Sequence, residues 1–375
     1  MEARAAILES PVESAAFGES RPLSFETIDV DDPGREEVLV EVAAASLCHT
    51  DVGSALGHIP EQFPYVMGHE GAGVVRAVGA DVTSVDVGDH VVLGRIACGS
   101  CRYCREGHSN LCRVRYESGG GTLRTGAIRF ERDGEPIHHY HGVSSFTQYT
   151  SVTEEVAIPI TDEIPLETAS LLGCGVFTGA GAVMNTADVE PGSSVVVFGL
   201  GGVGLSGVQA ADLRGATTIV GVDLDPAKFD LARELGATAV VDPTEADPAD
   251  AVRDLTDGGA DYVFDMVGDP GIIEHAVEML RPRGTHVVVG SIPGAGSVEQ
   301  EWGKVMRSEL RILGSFNGSY NLGVAIPMLA ELVASEKFTL TEMISATRPL
   351  DEVNDALREQ QTGSPVRQVL LPGDA

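Results

Sequence analysis

"VVVFGLGGVG", residues 195–204, decides the fold. Three β-branched valines and a phenylalanine read as a buried strand, and Gly199, Gly201 and Gly204 then match G-x-G-x-x-G with Gly202 and Val203 between them. Glycine permits the tight turn and lets a pyrophosphate approach the backbone, while the N-terminus of the following helix meets its negative charge. The next strand, "TIVGVD", ends on Asp223, 24 residues beyond Gly199. A carboxylate there accepts hydrogen bonds from both adenosine ribose hydroxyls and repels a 2′-phosphate, so NAD is expected rather than NADP. The plain alternative is an exposed acid at a strand end.

Outward from this turn, "YVFDMVG", "THVVVG" and "RILGSF" supply further buried strands, with helical text such as "GIIEHAVEMLRP" between them. Strands alternating with helices predict an α/β, doubly wound parallel sheet of the Rossmann type over residues 176–316. Upstream, "EVLVEV" alternates like a half-buried strand, and "GAGVVRAVGA" and "VDVGDHVVLG" follow with glycine breaks. They predict a compact β-rich domain over roughly the first 150 residues. "LLGCGVFTGAGAVM" is expected to wind as a helix, and the tail adds a helix-like "AIPMLAELVASEKF" and an apolar strand "VRQVLLPG". The expected division is residues 1–175 with 317–375, and 176–316 between them.

Four of the six cysteines fall in "CGSCRYCREGHSNLC", residues 98–112. Cys98, Cys101, Cys104 and Cys112 can converge on one point and close a tetrahedral zinc shell, which makes a lobe at about 95–113 structural. An iron–sulfur cluster is the other metal reading of such spacing. Cys48 in "CHTD", His69 in "GHEGAGVV" and Cys174 in "GCGVFTGAGA" form a three-ligand set that leaves a corner open for substrate. Taken singly, a cysteine or histidine of this kind is an ordinary core residue.

The chain has 56 acidic and 25 basic residues, a formal charge of −31, and its lysines are Lys228, Lys304 and Lys337. Such a surface repels phosphate backbones and anionic lipid, which argues against nucleic-acid and membrane partners. The N-terminal text lacks a basic start followed by an apolar run, so a cytoplasmic location is expected, where clustered thiols stay reduced. Spread acidity with scarce lysine suggests either adaptation to a salt-rich cytoplasm, where self-repulsion is screened, or simply an acidic enzyme.

With these residues in view, the chain resembles the zinc-dependent medium-chain alcohol dehydrogenases. The likeness runs through "LCHTD", "GHEGAGVV", the four-cysteine lobe, "RFERDGEPIHHYHGVSSFTQYT", "GCGVFTGAGA", "FGLGGVG" and "SPVRQVLL". The stretch "PIHHYHGVSSFTQYT" is similar to the branch holding liver-type and glutathione-dependent formaldehyde dehydrogenases. The resemblance implies a GroES-like catalytic domain built from both chain ends, a Rossmann domain between, two zinc ions per chain, NAD, and a dimer or tetramer. It places the catalytic zinc on Cys48, His69 and Cys174 and the structural zinc on the lobe. Asp51 and Glu70 match acids that support the ligands, and Thr50 matches the hydroxyl beside the alcohol. His49 and Arg367 are placed near the pyrophosphate, Lys228 near the ribose, and Val203 and Thr178 against the nicotinamide.

The activity implied is reversible hydride transfer between a primary alcohol/aldehyde pair and NAD. Oxidation of a thiol adduct of formaldehyde is the alternative, and a non-catalytic NAD-binding or zinc-storage protein is a third reading. Departures from the pattern are Gly53 where liver-type members carry a relay histidine, with His58 as a substitute, and Gly94 in place of a pocket aromatic, which suggests a wider pocket. Arg115 lies near, but out of register with, the anion-binding arginine of the formaldehyde branch.

Overall fold

The computed structural model describes residues 1–12, 17–59, 62–95, 97–114, 121–291, 297–363 and 365–373. The chain divides into two compact units, Met1–Cys174 with Asn321–Ala375, and Gly175–Tyr320. Arg115 lies outside the described residues.

The first unit opens with β1 (Glu2–Leu8), β2 (Leu23–Val30), β3 (Glu37–Leu47), β4 (Tyr65–Val66), β5 (Gly71–Val78), β6 (His90–Leu93), β7 (Phe130–Arg132), β8 (Glu135–His139), β9 (Tyr149–Thr153) and β10 (Ala157–Pro159). The second contributes β11 (Ser194–Phe198), β12 (Thr218–Val222), β13 (Ala239–Val241), β14 (Ala260–Asp265), β15 (Leu280–Val288) and β16 (Arg311–Gly314). The chain then returns to the first unit with β17 (Ile344–Pro349) and β18 (Arg367–Leu371).

Among the described residues of the first unit, β1, β2, β7, β8 and β4 close a barrel, while β10-β6-β5-β3-β18-β17 form a second sheet with β9 also paired to β3. The tail strand β18 is antiparallel to β3, with Gln368 opposite Leu47. "EVLVEV" thus begins a longer strand, β3, whose final residues deliver Cys48. Val38, Val40, Val42, Val75, Val91, Leu93 and Leu370 meet in one core. Burial of such side chains stabilises each by about 1.5–3 kcal/mol before chain entropy is charged against it.

The second unit is a parallel sheet in the order β13-β12-β11-β14-β15-β16. The order reverses at β11, the strand that carries the glycine turn, as doubly wound sheets do at a ligand crevice. Two expected helices are interrupted. "GIIEHAVEMLRP" winds only over Pro270–His275 with a tighter turn to Glu278, and Leu280 already starts β15. "LLGCGVFTGAGAVM" breaks at Cys174, where φ −153° and ψ −67° separate a 3₁₀ turn from the helix Gly175–Gly181. The second unit extends to Tyr320, rather than 316, because Gly318 packs on that helix. A Cβ on Gly181 would lie 2.6 Å from the Gly318 Cα and 2.5 Å from its carbonyl oxygen. No single described helix is long and apolar enough to cross a membrane.

Candidate metal centres and dinucleotide turn

In the lobe all four sulfurs converge. Cys101 Sγ and Cys104 Sγ are 3.6 Å apart, and Cys98 Sγ and Cys104 Sγ 4.0 Å. A tetrahedral site with Zn–S bonds of about 2.3 Å has sulfur–sulfur edges of about 3.8 Å, so the spacing fits zinc; all six cysteines are free of disulfides. The Cys98 amide donates to Cys112 Sγ at 3.2 Å and the Cys101 amide to Cys98 Sγ at 3.3 Å. Burial works against a thiolate at Cys98, but hydrogen bonds from Ser100 and the Cys101 amide prevail and bring it down to about 6. Burial pushes the Cys104 and Cys112 thiols the other way, so in the metal-free lobe the anionic form is favoured at Cys98 and not across the whole set.

The second cluster gathers Cys48, His69, Glu70 and Cys174, whose donor atoms lie within 4.8 Å of one another and whose side chains are buried. Local structure explains the convergence. Cys48 caps the helix His49–Ala55, and the Asp51 side chain turns back so that its Oδ2 accepts the Cys48 amide at 3.0 Å. The other oxygen, Asp51 Oδ1, is 2.8 Å from His69 Nδ1. That bond fixes the ring and presents Nε2 to the cluster, where it makes no hydrogen bond. The helix break at Cys174 turns the third donor in: a Cβ on Gly173 would lie 2.9 Å from the Leu93 carbonyl and 3.2 Å from the Glu70 Cα, so only glycine brings this turn so close.

Glu70 enters the cluster more directly than the sequence suggested. Its Oε1 lies 3.7 Å from His69 Nε2 and has no hydrogen-bond partner, while Oε2 accepts from Arg367. Burial pushes the Glu70 carboxyl up to about 8 against the pull of Arg367. Burial also disfavours charge on His69, yet the Asp51 carboxylate outweighs it and raises the imidazole to about 9. An orphaned imidazole nitrogen, an orphaned carboxylate oxygen and two thiols facing one point are a donor set suited to zinc.

Thr50 Oγ1 is 3.7 Å from Cys48 Sγ. His49 is exposed, and Gln360 Nε2 lies 3.4 Å from its Nδ1. Arg367 is buried rather than a surface cation, donating to the Leu47 carbonyl as well as to Glu70. His58 is exposed, with Nδ1 3.9 Å from where a Gly53 Cβ would stand. Space over Gly94 is partly taken, since an added Cβ would meet Ile158 Cδ1 at 2.9 Å. Sequence reasoning missed Tyr140, fully buried, edge-on to His69 at 5.9 Å, with its hydroxyl 2.5 Å from Ser54 Oγ. The only signal was its place within "PIHHYHG".

In the second unit each glycine of the turn has a distinct cause. Gly199 has φ 86°, a Cβ on Gly201 would meet nothing within 4 Å, and a Cβ on Gly204 would lie 1.7 Å from the Gly199 carbonyl oxygen. A left-handed first position, open space at the second and closest packing at the third suit a pyrophosphate lying on the amides. Gly202 and Val203 begin the helix Gly202–Leu213, and a Cβ on Gly179 would sit 1.9 Å from the Val203 carbonyl, which brings Thr178 and Val203 to adjoining helices. Asp223 Oδ2 accepts the Leu200 amide at 2.6 Å, and Lys228 Nζ stands 3.3 Å from both carboxylate oxygens.

A dinucleotide turn in one unit and two sulfur-rich metal clusters in the other define a metal- and nicotinamide-dependent oxidoreductase. The zinc-binding dehydrogenase family model matches residues 202–333 and the alcohol dehydrogenase GroES-like domain model matches 34–162. S-(hydroxymethyl)glutathione dehydrogenases from Escherichia coli O157:H7 and Shigella sonnei are each 40% identical over 369 residues, covering 95% of this chain and 98% of theirs. Among solved structures, an alcohol dehydrogenase zinc-binding domain protein from Burkholderia ambifaria matches with TM-score 0.94 at 37% identity over all of both chains. Benzyl alcohol dehydrogenase from Acinetobacter calcoaceticus matches with TM-score 0.91 at 32% identity over 99% of each. The chain belongs to the zinc-dependent medium-chain alcohol dehydrogenase family. It is an enzyme, with a GroES-like and a Rossmann domain, and zinc and NAD are the cofactors of that family.

Proposed function

We propose that this enzyme interconverts primary alcohols and aldehydes, with NAD as the hydride carrier and the catalytic zinc on Cys48, His69 and Cys174. The observation that carries the reading is the buried convergence of those three donors with Asp51 holding the far nitrogen of His69. Zinc bound there supplies a Lewis acid that lowers the pKa of an alcohol hydroxyl. Thr50 Oγ1 takes the hydrogen bond of that hydroxyl and passes its proton outward. Gly199, Gly201, Gly202, Val203 and Gly204 carry the pyrophosphate on backbone amides, and Asp223 takes the ribose hydroxyls beside Lys228. Thr178 and Val203 bound the nicotinamide. His49 and Arg367 serve as hydrogen-bond donors to the pyrophosphate, Arg367 being held in place by Glu70.

A second reading, oxidation of an S-hydroxymethyl thiol, is favoured by the names of the 40%-identical relatives. NADH formation from a panel of primary alcohols, and from formaldehyde with and without glutathione, separates the two. Absence of turnover with every substrate would overturn both. Self-association is a further part of this proposal: Ile312 on the edge strand β16 is 37% exposed, and Trp302 and Met306 on the helix Trp302–Arg307 are 66% and 71% exposed. Unpaired strand edges and exposed large apolar side chains favour a second copy. A monomer by sedimentation at working concentration would refute it.

A further inference from the structure

The helix Val353–Gln361 lays Val353, Ala356, Leu357 and Gln360 on one buried stripe, at the three- and four-residue spacing of an amphipathic helix. The first three are apolar. Gln360 is not, yet it is only 2% exposed, and Gln368 on β18 is fully buried at hydrogen-bond distance from it. An aliphatic side chain would pack at either place without the cost of burying an amide, so two buried glutamines call for a polar reason.

Their hydrogen bonds run in one sense. A backbone carbonyl can only accept, so the Ala356 oxygen, 2.9 Å from Gln368, identifies the nitrogen of that amide. The other hydrogen of Gln368 Nε2 meets Gln360 Oε1 at 3.4 Å. Gln360 must then turn its own Nε2 the other way, where it lies 3.4 Å from His49 Nδ1. Nδ1 is therefore the acceptor, and the ring hydrogen sits on Nε2. Both ends of this chain are anchored. Gln368 stands opposite Leu47 where β18 pairs with β3, and His49 heads the helix that follows Cys48.

We propose that Gln360 is a positioning residue for cofactor binding: backed by Gln368, it holds His49 Nδ1 as an acceptor, so that Nε2–H is the hydrogen this side chain offers to the pyrophosphate. The inference rests on the reading of His49 as a pyrophosphate donor and adds the residue that aims it. A ring whose hydrogen is already placed gives up less freedom on binding. The competing role for the two glutamines is to fasten the helix to β18, with no bearing on His49.

The test is a long-range proton–nitrogen correlation spectrum of the zinc-loaded full chain carrying nitrogen-labelled histidine, above neutral pH, with His49 assigned by its loss in His49→Leu. NADH affinity is measured on the same samples by fluorescence. Wild-type His49 is expected as a single form with its hydrogen on Nε2. Gln360→Glu keeps an oxygen for Gln368 but sets an acceptor against Nδ1, so the hydrogen should move to Nδ1 and the Kd for NADH should rise on the order of tenfold. Gln360→Leu should give a mixture of the two forms and a smaller loss. A hydrogen on Nδ1 in the wild type, an Nε2–H form that survives in Gln360→Glu, or an unchanged NADH affinity once the hydrogen has moved would assign the glutamines to fastening alone and overturn the proposal. Should Gln360→Glu not fold, Gln360→Leu decides: a mixture supports positioning, and an unchanged spectrum refutes it. NADH bound equally well by the wild type and His49→Leu would refute the pyrophosphate role of His49 on which the inference rests. No NADH binding by the wild type counts against the dinucleotide site itself.

Discussion

Replacing Asp51 with asparagine removes one charge from the cluster and very little volume, so its effect can be worked from two contacts. Asp51 Oδ1 receives His69 Nδ1 at 2.8 Å and Oδ2 receives the Cys48 amide at 3.0 Å, both fully buried. An asparagine has one acceptor oxygen and one amide nitrogen. Whichever way it is turned, one of the two N–H donors faces another donor. Losing one buried charge-assisted bond costs about 1.5–3 kcal/mol, and weakening a carboxylate–histidine–metal relay costs about 10–100-fold in metal affinity, so the two routes agree. Titrating the holoenzyme with a chromophoric zinc chelator should show one of its two zinc ions released at 10- to 100-fold lower chelator in Asp51→Asn, while the lobe zinc is unmoved. An affinity within twofold of wild type, with turnover intact, would refute the claim that Asp51 orients a metal-binding histidine.

Asp223→Gly should raise kcat/KM for NADP relative to NAD by about tenfold or more, since it removes the carboxylate that faces a 2′-phosphate; an unchanged ratio counts against the ribose assignment. Glu37, 1% exposed, accepts from Arg129, Thr125 and the Gly34 amide, and although burial raises its carboxyl, these bonds outweigh it and hold it below the ordinary value. A carboxyl depressed by folding contributes stability that is full above its unfolded value and is lost as pH falls through the folded one. Glu37→Gln should therefore cost about 3 kcal/mol in urea denaturation at pH 7, with the gap closing below about pH 4; a gap independent of pH would contradict the ion pair. With a formal charge of −31, Tm should rise between low and molar potassium chloride if the acidity reflects adaptation to salt, and a flat or falling Tm removes that idea.

The features readable from the sequence were those set by short-range spacing. Gly199, Gly201 and Gly204 lie within six residues, and each conformation follows from the turn they make. The four lobe cysteines sit in fifteen residues whose backbone can fold onto a metal without help from elsewhere. Strand content was legible from alternation in "EVLVEV" and from valine-rich runs. What escaped depended on distant packing. The break at Cys174 interrupts text with good helical character, because Gly173 must clear Leu93 and Glu70 from other strands. The free Glu70 Oε1 is left over after Oε2 pairs with Arg367, a residue 297 positions away, and no local pattern announces it.

The return of β18 to pair with β3 sets an order of events during synthesis. Arg367 and Leu47 are 320 residues apart in the chain. A ribosome adding roughly 5–20 residues per second needs about 15–65 s to cover that span. Through that interval the Rossmann unit can mature while its host sheet waits with an open flank, a window in which nascent chains are exposed to mispairing with their neighbours on a polysome.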